Sequence, residues 1–335
     1  FDDAQLASMQ SQLAALTRQS EDKTHLAFAV GKALEDREEY DLSFKAYAEG
    51  NAIKRQMSGY DAEKTSVRVD RLIAQCGADL WNEEGHPSDE AIFIIGLPRA
   101  GSTLLEQILA SHSQVEATAE LPFIGRIIGE MVAERDRGDE PHYPRILNDL
   151  TVEERVARGQ QYLDLAAGYR TGRARFIDKL PNNWEHVALI KTILPNATII
   201  DARRHPMAAC FANFKQLFAR GQEFTYSLED IGRYYADYLR LMDHWHSVFQ
   251  GGLLTVQYEE VVEELDTQVN QLLSHAKLDF EEACLRYYEK DRAVRTASSE
   301  QVRQPIYRDA LNLWERYQAH LDLLASLLDE RGVPR

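Results

Sequence analysis

AIFIIGLPRAGSTLLEQILA, residues 91–110, is the stretch of this chain that decides its fold. Its first five residues, 91–95, are apolar and long enough for one buried strand. A turn bounded by Gly96 and Gly101 follows, and a helical pattern of apolar residues begins after Ser102. A strand, a glycine-bearing loop and a helix N-terminus together present backbone N–H groups to an anion. We therefore predict a phosphate-binding loop here.

The spacing of this loop is that of a Walker motif, GxxxxG-x-[ST], but Ser102 stands where that motif has its lysine. Because the missing lysine is the group that reaches the β- and γ-phosphates, the loop suits a single terminal phosphate better than ATP. Pro98 stiffens the turn, Arg99 can pair with an oxyanion, and Thr103 adds a second hydroxyl. The alternative is a tight strand-to-helix turn that binds no ligand.

The composition is that of an ordinary globular protein with an acidic balance. The 335 residues are 44% hydrophobic and 27% charged, and the formal net charge is -16. This charge argues against a general binder of nucleic acid or of anionic membranes, because nothing offsets the repulsion between like charges. A small anionic ligand in a locally basic cleft is still compatible with it.

The three cysteines, Cys76, Cys210 and Cys284, are far apart and form no CxxC pair. They predict neither a metal site nor a disulfide framework, and a reducing, cytoplasmic location accounts for them. The sequence contains no apolar run as long as a membrane span and no recognisable signal peptide. Since the first residue is Phe1 rather than Met, we expect the chain to begin inside a longer protein.

The N-terminal part of the chain has helical patterns. We predict a helical segment over residues 1–60, a helical linker over residues 61–90 and an α/β domain over residues 91–335. Residues 25–56 resemble one tetratricopeptide repeat (TPR), with small residues at packing positions and a turn between two helices. One repeat cannot bury its apolar face alone, so either it covers the following domain or further repeats precede it. A plain helical hairpin is the simpler alternative; TPR-like helices would offer a surface to a protein partner.

Four further apolar runs predict strands that alternate with helices, at residues 115–118, 175–177, 197–201 and 252–256. Pro206 suits the first turn of a helix that we predict to extend to Phe218. The alternation predicts an α/β fold with a P-loop-like, doubly wound parallel sheet flanked by helices. Ligands of such sheets bind beyond the carboxyl ends of the strands. The residues just after the predicted strands are 99–103, Glu120, Lys179, Arg203, Arg204 and Tyr258.

Two motifs resemble those of a known family. GLPRAGSTLLEQIL, residues 96–109, resembles the 5′-phosphosulfate loop of sulfotransferases that use 3′-phosphoadenosine-5′-phosphosulfate, PAPS. IIDARRHPMAACFANF, residues 199–214, resembles their 3′-phosphate motif and lies at the right place downstream. The two motifs at this separation are more specific than either one alone.

Four other stretches are similar to the branch related to tyrosylprotein sulfotransferases. They are AELPFIGRI, FIDKLPNN, VQYEEVV and SSEQVRQPIYRDALNLWERY, at residues 119–127, 176–183, 256–262 and 298–317. With the repeat-like start, the chain is most similar to the bacterial tetratricopeptide-repeat sulfotransferases. The resemblance runs from residue 92 to the C-terminus.

The resemblance implies an enzyme that moves a sulfuryl group in line from PAPS to an acceptor hydroxyl, leaving PAP and requiring no metal. It implies that Glu120 is the general base and that Arg99 and Lys179 neutralise the sulfuryl and leaving-phosphate oxygens. Ser299 matches a hydroxyl that contacts the donor and counts with these catalytic residues. The nucleotide-binding residues it implies are Arg99, Ala100, Gly101, Ser102, Thr103, Arg204, Ala212, Tyr258 and Ser299.

The chain also departs from the family pattern. Ala212 stands where the 3′-phosphate motif normally has a serine, and Asn213 or Lys215 is a candidate substitute. Pro122 and Leu313 stand where the animal tyrosylprotein enzymes have an arginine and a lysine, which weakens the case for a peptide-tyrosine acceptor. A sugar, a phenol and a peptide tyrosine all fit a glutamate base. Neither nucleic acid nor a membrane span is expected.

Two other functions stay open on the sequence alone. A nucleotide kinase or NTPase with a degenerate P-loop would use ATP and Mg²⁺, and the absent lysine argues against it. A catalytically inactive, nucleotide-binding repeat scaffold is the second. The joint presence of Arg99, Glu120, Lys179 and Ser299 argues against that alternative.

Overall fold

The centre of the fold is a five-stranded parallel sheet, and the strand predicted at residues 91–95 is one of the five. The computed structural model of the protein describes residues 1–78, 84–135, 143–289 and 311–334. The strands of the sheet are β1 Ala91–Gly96, β2 Val115–Ala117, β3 Arg175–Asp178, β4 Thr198–Arg203 and β5 Leu253–Gln257. They lie in the order β2-β3-β1-β4-β5, and each neighbouring pair is parallel. Strand β1 is therefore at the centre.

The described residues also form thirteen α-helices. They are α1 Asp3–Ala15, α2 Glu21–Glu35, α3 Tyr40–Ser58, α4 Ala62–Gln75, α5 Ser102–Ser111, α6 Phe123–Arg135, α7 Val152–Ala167, α8 Val187–Ile193, α9 Pro206–Phe214, α10 Leu228–Val248, α11 Tyr258–Glu263, α12 Leu265–His275 and α13 Asp322–Glu330. Short 3-10 helices include Pro181–His186 and Leu313–His320.

Strand β1 is buried on both faces, which explains why its sequence is apolar without alternation. Ile92 and Ile94 belong to a buried cluster that includes leucines of α5 and α12. Phe93 lies on the opposite face, where its ring centroid is 5.3 Å from that of Tyr162 on α7. Helices packed on both faces of β1 thus hold this strand, and with it the start of the loop that follows, in a fixed position.

The connections after β1 and after β4 run in opposite directions. From β1 the chain passes through α5 to β2 at one edge of the sheet, whereas from β4 it continues to β5 at the other edge. This is the predicted doubly wound arrangement, and the predicted fold class is confirmed. Because the direction reverses between β1 and β4, the carboxyl ends of these two strands flank the crevice in which such sheets bind ligands.

The chain divides into two compact units. The first contains Phe1–Ser66, His205–Asp237 and the described residues from 311 onwards; the second contains Val67–Arg204 and the described residues from 238 to 289. The sheet belongs to the second unit. The predicted division at residues 60 and 90 stays a prediction, as does the tetratricopeptide character of the N-terminal helices.

Within the first unit, α2 and α3 form a close helical hairpin. A Cβ added to Gly31 would lie 2.7 Å from Cδ1 of Tyr47, and one added to Gly50 would lie 2.7 Å from Cδ2 of Phe28. The rings of Phe28 and Tyr47 meet edge to face at 5.8 Å. Glycine is therefore required at both positions, because an aromatic ring of the other helix fills the space.

Helix α9 packs on this hairpin inside the first unit. Asn51 donates from Nδ2 to the carbonyl of Phe214 at 2.8 Å, and the ring of Phe44 stacks on that of Phe214 at 5.7 Å. The helix ends at Phe214, so the predicted extension to Phe218 is wrong. The next residue, Lys215, donates to both carboxylate oxygens of Glu35 at 2.7 Å. The ion pair between Lys215 and Glu35 thus fixes the residue that directly follows the end of α9.

Candidate active site

The loop between β1 and α5 has an unusual backbone. Arg99 and Gly101 have positive φ angles of 63° and 96°, which is the left-handed region. A left-handed arginine is strained, and strain of this kind concentrates at functional sites. Gly96 has a φ of 128°, and a Cβ there would collide with the carbonyl oxygen of Ala202 on β4. The turn therefore begins at a position that only glycine can occupy.

The loop leads directly into the N-terminus of α5. Gly101 is the N-cap residue, and a glycine N-cap has no side chain to bond the first N–H groups of the helix. Ser102 and Thr103 follow in the first turn, and both are buried. The five predicted loop residues, 99–103, thus lie together at the carboxyl end of β1, where helix N–H groups and two hydroxyls are concentrated.

Arg204 follows β4 and reaches this loop. Its Nη1 lies 3.4 Å from the carbonyl oxygen of Arg99, and its guanidinium lies 4.9 Å above the ring of Tyr258. Burial lowers the pKa of Arg204, although a guanidinium stays charged in proteins. A positive charge in poorly solvated surroundings interacts strongly with an anion.

Tyr258 connects Arg204 to the loop. It is the first residue of α11 and follows β5. A Cβ added to Gly101 would lie 2.7 Å from Cδ2 of Tyr258, so the ring packs closely against the loop backbone. Tyr258 therefore contacts the loop with one part of its ring and faces the Arg204 guanidinium with another.

Arg203, the neighbouring cation, has a different role. Its Nη2 lies 2.6 Å from Oδ2 of Asp201, and its guanidinium lies 5.7 Å from the ring of Tyr238. Asp201 is fully buried and also accepts a short hydrogen bond from Tyr238. Arg203 thus neutralises a buried carboxylate within the sheet, whereas Arg204 lies beside the loop.

Glu120 and Lys179 meet beyond β2 and β3. Nζ of Lys179 donates to Oε1 of Glu120 at 2.7 Å. The Lys179 side chain is buried, while that of Glu120 is 53% exposed. The pair joins an ammonium group fixed inside the protein to a carboxylate that an incoming molecule can reach.

Backbone and side-chain bonds hold the segment that carries Glu120. The N–H and hydroxyl of Thr118 both donate to the carbonyl of Ile177, at 3.2 and 2.6 Å. The N–H of Lys179 donates to the carbonyl of Ala119 at 3.3 Å. These contacts fasten the segment to the end of β3 on the side that precedes Glu120.

Asp178 fastens the segment on the side that follows Glu120. Its Oδ1 accepts from the N–H of Leu121 at 3.3 Å, and its Oδ2 accepts from the hydroxyl of Tyr162 at 2.8 Å. Burial raises the pKa of Asp178 to about 7, against the lowering effect of these two bonds and of Lys179. Sequence reasoning missed Asp178 and Tyr162. The available signal was an acidic residue at the end of an apolar strand, directly before Lys179.

Two further predicted site residues stay predictions. Ser299 lies outside the described residues. Ala212 lies on α9 in the first unit and is nearly buried. Its suggested substitutes both have protein partners: Nδ2 of Asn213 donates to the carbonyl of Ala209 at 2.9 Å, and Lys215 binds Glu35.

Metal sites and membrane spans are two further features that bear on function in the part of the chain that the structure describes. That part contains no group of three or more His, Cys, Asp or Glu side chains arranged to hold a metal ion. Its helices include none with the length and apolar character needed to cross a membrane.

Comparison with known proteins assigns the family. The family model described as "Sulfotransferase family" matches residues 91–282, more than half of the chain. The chain belongs to the sulfotransferase family, which confirms the resemblance seen in its motifs. The matched range includes the loop after β1, the Glu120–Lys179 pair and Arg204.

Two relatives and one solved structure extend the comparison. An uncharacterised protein of Aquifex aeolicus is 34% identical over 313 residues, and protein-tyrosine sulfotransferase A of Caenorhabditis elegans is 23% identical over 254 residues. They cover 90% and 72% of this chain, whereas the chain covers 41% and 66% of their lengths. The sulfotransferase domain of the Synechococcus PCC 7002 olefin synthase is similar in fold, with a TM-score of 0.51 and 23% identity over 70% of this chain and 90% of that domain.

Proposed function

We propose that the chain transfers a sulfuryl group from PAPS to the hydroxyl of an acceptor by in-line displacement, with Glu120 as the general base. The observation that carries the proposal is the 2.7 Å contact between Lys179 and the exposed carboxylate of Glu120. The pair lies beyond the carboxyl ends of the strands, as does the loop after β1. A base needs access to the acceptor, and a cation beside it can stabilise the negative charge that develops in the transition state.

The loop has the properties that a 5′-phosphosulfate requires. We expect its left-handed residues and the N-terminus of α5 to present N–H groups to an anion, with Ser102 and Thr103 as hydroxyl donors. We assign the 5′-phosphate to this loop and the sulfuryl oxygens to Arg99 and Lys179. PAPS supplies a sulfuryl group already activated by its bond to phosphate. The absence of a Walker lysine fits a donor without a triphosphate.

Arg204 is the proposed contact for the 3′-phosphate. Its guanidinium can form a charge-assisted bidentate contact with phosphate, and Tyr258 restrains it from one side. The methyl group of Ala212 cannot donate a hydrogen bond, and Asn213 and Lys215 already bind other groups. We therefore expect Arg204 to contribute the larger share of the 3′-phosphate affinity. Ser299 is retained as a proposed donor contact.

The proton transfer follows from the Glu120–Lys179 pair. Glu120 accepts the proton of the acceptor hydroxyl as the oxygen attacks sulfur, and its carboxylate becomes neutral. Lys179 then loses its charged partner and can donate to the oxygens on which negative charge accumulates. In the proposed scheme the acceptor's proton moves to Glu120, Lys179 keeps its proton and charge, the bond between sulfur and the 5′-phosphate oxygen breaks as PAP leaves, and no metal ion takes part.

The acceptor is proposed only as a hydroxyl compound. A sugar, a phenol and a peptide tyrosine are the candidates, and the C. elegans relative is named for protein tyrosine. The net charge of -16 favours a neutral or cationic acceptor over an anionic one. A cytoplasmic location and a protein partner on the N-terminal helices belong to the same proposal.

The test uses purified protein, PAPS labelled in its sulfuryl group and a panel of sugars, phenols and tyrosine peptides. We expect label in at least one acceptor, stoichiometric release of PAP and no loss of rate with a metal chelator. Transfer of phosphate from ATP, with none from PAPS, would instead support the kinase alternative. Binding of PAP without transfer to any acceptor would support the inactive scaffold.

A further inference from the structure

The geometry around β3 assigns a role to a buried pair that the proposed reaction does not itself use. Asp178 is the last residue of β3 and is completely buried. In register it lies opposite Phe93 of the central strand, so its backbone is held beside the middle of the sheet. Tyr162 of α7 is also fully buried and donates to it.

The Asp178 carboxylate joins two elements that carry proposed catalytic groups. Lys179 follows it directly in the chain. The N–H that its Oδ1 accepts belongs to Leu121, which directly follows Glu120. One buried carboxylate therefore fixes the backbone on both sides of the Glu120–Lys179 contact.

We propose that Asp178, held by Tyr162, is a positioning residue that fixes the Glu120–Lys179 pair through the backbone N–H of Leu121; this inference rests on the proposed function. An ionised carboxylate accepts from Leu121 and from Tyr162 at the same time. A neutral amide in its place has one acceptor oxygen, so its NH₂ group must face one of the two donors. The side chain would keep its size and lose one of its two holding contacts.

The same reasoning predicts a dependence on pH. The charged or titratable groups that face Asp178 are the hydroxyl of Tyr162, the ammonium of Lys179 and the carboxylate of Glu120. Burial raises the pKa of Asp178 to about 7, so the group gains a proton as the pH falls through neutrality. A protonated Asp178 acts as a donor on one oxygen and no longer accepts fully from both partners.

The experiment compares wild type with Tyr162→Phe, Asp178→Asn and the control Tyr169→Phe, whose hydroxyl belongs to an exposed side chain. We expect kcat to fall about tenfold in Tyr162→Phe and up to about 100-fold in Asp178→Asn, because small displacements of catalytic groups have effects of this size. KM for PAPS and the calorimetric affinity for PAP should stay close to wild type. In Asp178→Asn the loss of kcat near neutral pH should disappear.

A merely structural role would give a different result. If kcat and PAP affinity fall in parallel, or if both variants keep the wild-type kcat and pH profile, the positioning role is overturned. Should Asp178→Asn not fold, Tyr162→Phe still decides, since it removes one hydroxyl and keeps the ring.

A measurement independent of turnover separates this inference from the proposed function. In protein labelled with ¹⁵N-leucine, the amide signal of Leu121 should titrate with pH near neutrality in wild type and lose that response in Asp178→Asn. A wild-type protein that transfers nothing overturns the proposed reaction, whereas the Leu121 titration still decides whether Asp178 holds the segment. A Leu121 signal that ignores pH overturns the coupling even in an active enzyme.

Discussion

The ammonium of Lys179 lies 2.7 Å from a carboxylate oxygen of Glu120, and the two side chains differ in solvent access. The lysine is buried at the end of β3, and the carboxylate faces outward from the segment after β2. Because Lys179 is buried and about half of the Glu120 side chain is exposed, solvent reaches the pair from the Glu120 side. In the proposed reaction the acceptor would therefore arrive at Glu120, and the negative charge would develop near Lys179.

The first prediction concerns Glu120→Gln. The amide keeps an oxygen that can accept from Lys179, so the fold and PAP affinity should be preserved, but it cannot take a proton from the acceptor. Transfer from PAPS should fall by about 100-fold or more. Calorimetry with PAP and turnover with labelled PAPS measure the two effects, and Glu153→Gln, at an exposed glutamate, is the matched control. Full activity in Glu120→Gln would exclude this residue as the base.

The second prediction concerns Arg204→Ala. If this partly buried guanidinium binds the 3′-phosphate, its loss should lower the affinity for PAP about tenfold or more. Arg204→Lys should recover only part of this affinity, because a lysine lacks the planar two-donor geometry. The control is Arg286→Ala, which removes a cation that forms surface ion pairs in the same unit. Equal PAP affinities in wild type and Arg204→Ala would refute the 3′-phosphate assignment.

The third prediction separates backbone strain from a local collision. Gly101 and Gly172 have φ angles of 96° and 101°, but a Cβ on Gly172 would meet no atom within 4 Å, whereas one on Gly101 would meet Tyr258 at 2.7 Å. Alanine at either position should lower the free energy of unfolding by about 1–3 kcal/mol through strain. Only Gly101→Ala should also lower the affinity for PAP, because the new methyl group forces Tyr258 or the loop to move. Similar PAP affinities in the two variants would contradict a role for the loop in binding.

The loop could be predicted from the sequence, and so could the position of the candidate site at the carboxyl ends of the strands. Parallel strands place their carboxyl ends together, so a residue after each strand is near the others even when the sequence separation is large. That reasoning selected Glu120, Lys179 and Arg204, and the first two are in direct contact. It also selected Arg203, which instead pairs with Asp201, two residues earlier on the same strand.

The features that sequence reasoning missed depend on contacts between distant residues. Asp178 is meaningful because Tyr162 and Leu121 reach it, and no local pattern encodes their approach. The end of α9 was placed too late because the apolar pattern continues beyond Phe214, whereas Lys215 pairs with Glu35, 180 residues earlier. Local periodicity describes which residues can be helical, while tertiary contacts decide where the helix ends.

The fourth prediction concerns stability and pH. The pKa of Asp178 is about 7 in the folded protein against an ordinary value of 3.8, so the folded state binds this proton more tightly than the unfolded state. The contribution to stability is therefore full below about pH 4 and is lost as the pH rises through about 7, a change of about 4 kcal/mol. Denaturant unfolding of wild type and Asp178→Asn across this range should give free energies that are similar near pH 4 and separate as the pH rises, with wild type losing stability, because asparagine resembles the protonated carboxyl and does not titrate. Parallel curves would contradict the raised pKa.

The fifth prediction concerns the attachment of α9 to the N-terminal hairpin. Nζ of Lys215 lies 2.7 Å from both oxygens of Glu35, and both side chains are largely shielded from water. A double-mutant cycle with Glu35→Gln and Lys215→Met should therefore give a coupling energy of about 1–3 kcal/mol in denaturant unfolding. The longer pair of Lys54 and the exposed Glu21, at 3.6 Å, should couple by less than about 0.5 kcal/mol.

The same variants test whether Lys215 replaces the serine that the 3′-phosphate motif lacks at Ala212. Since Lys215 is committed to Glu35, Lys215→Met should bind PAP like wild type under conditions where both are folded. A selective loss of PAP affinity in Lys215→Met, with Glu35→Gln unaffected, would instead place the ammonium on the phosphate. Equal losses in both variants would indicate that the ion pair acts by holding α9 in place, because either substitution breaks it.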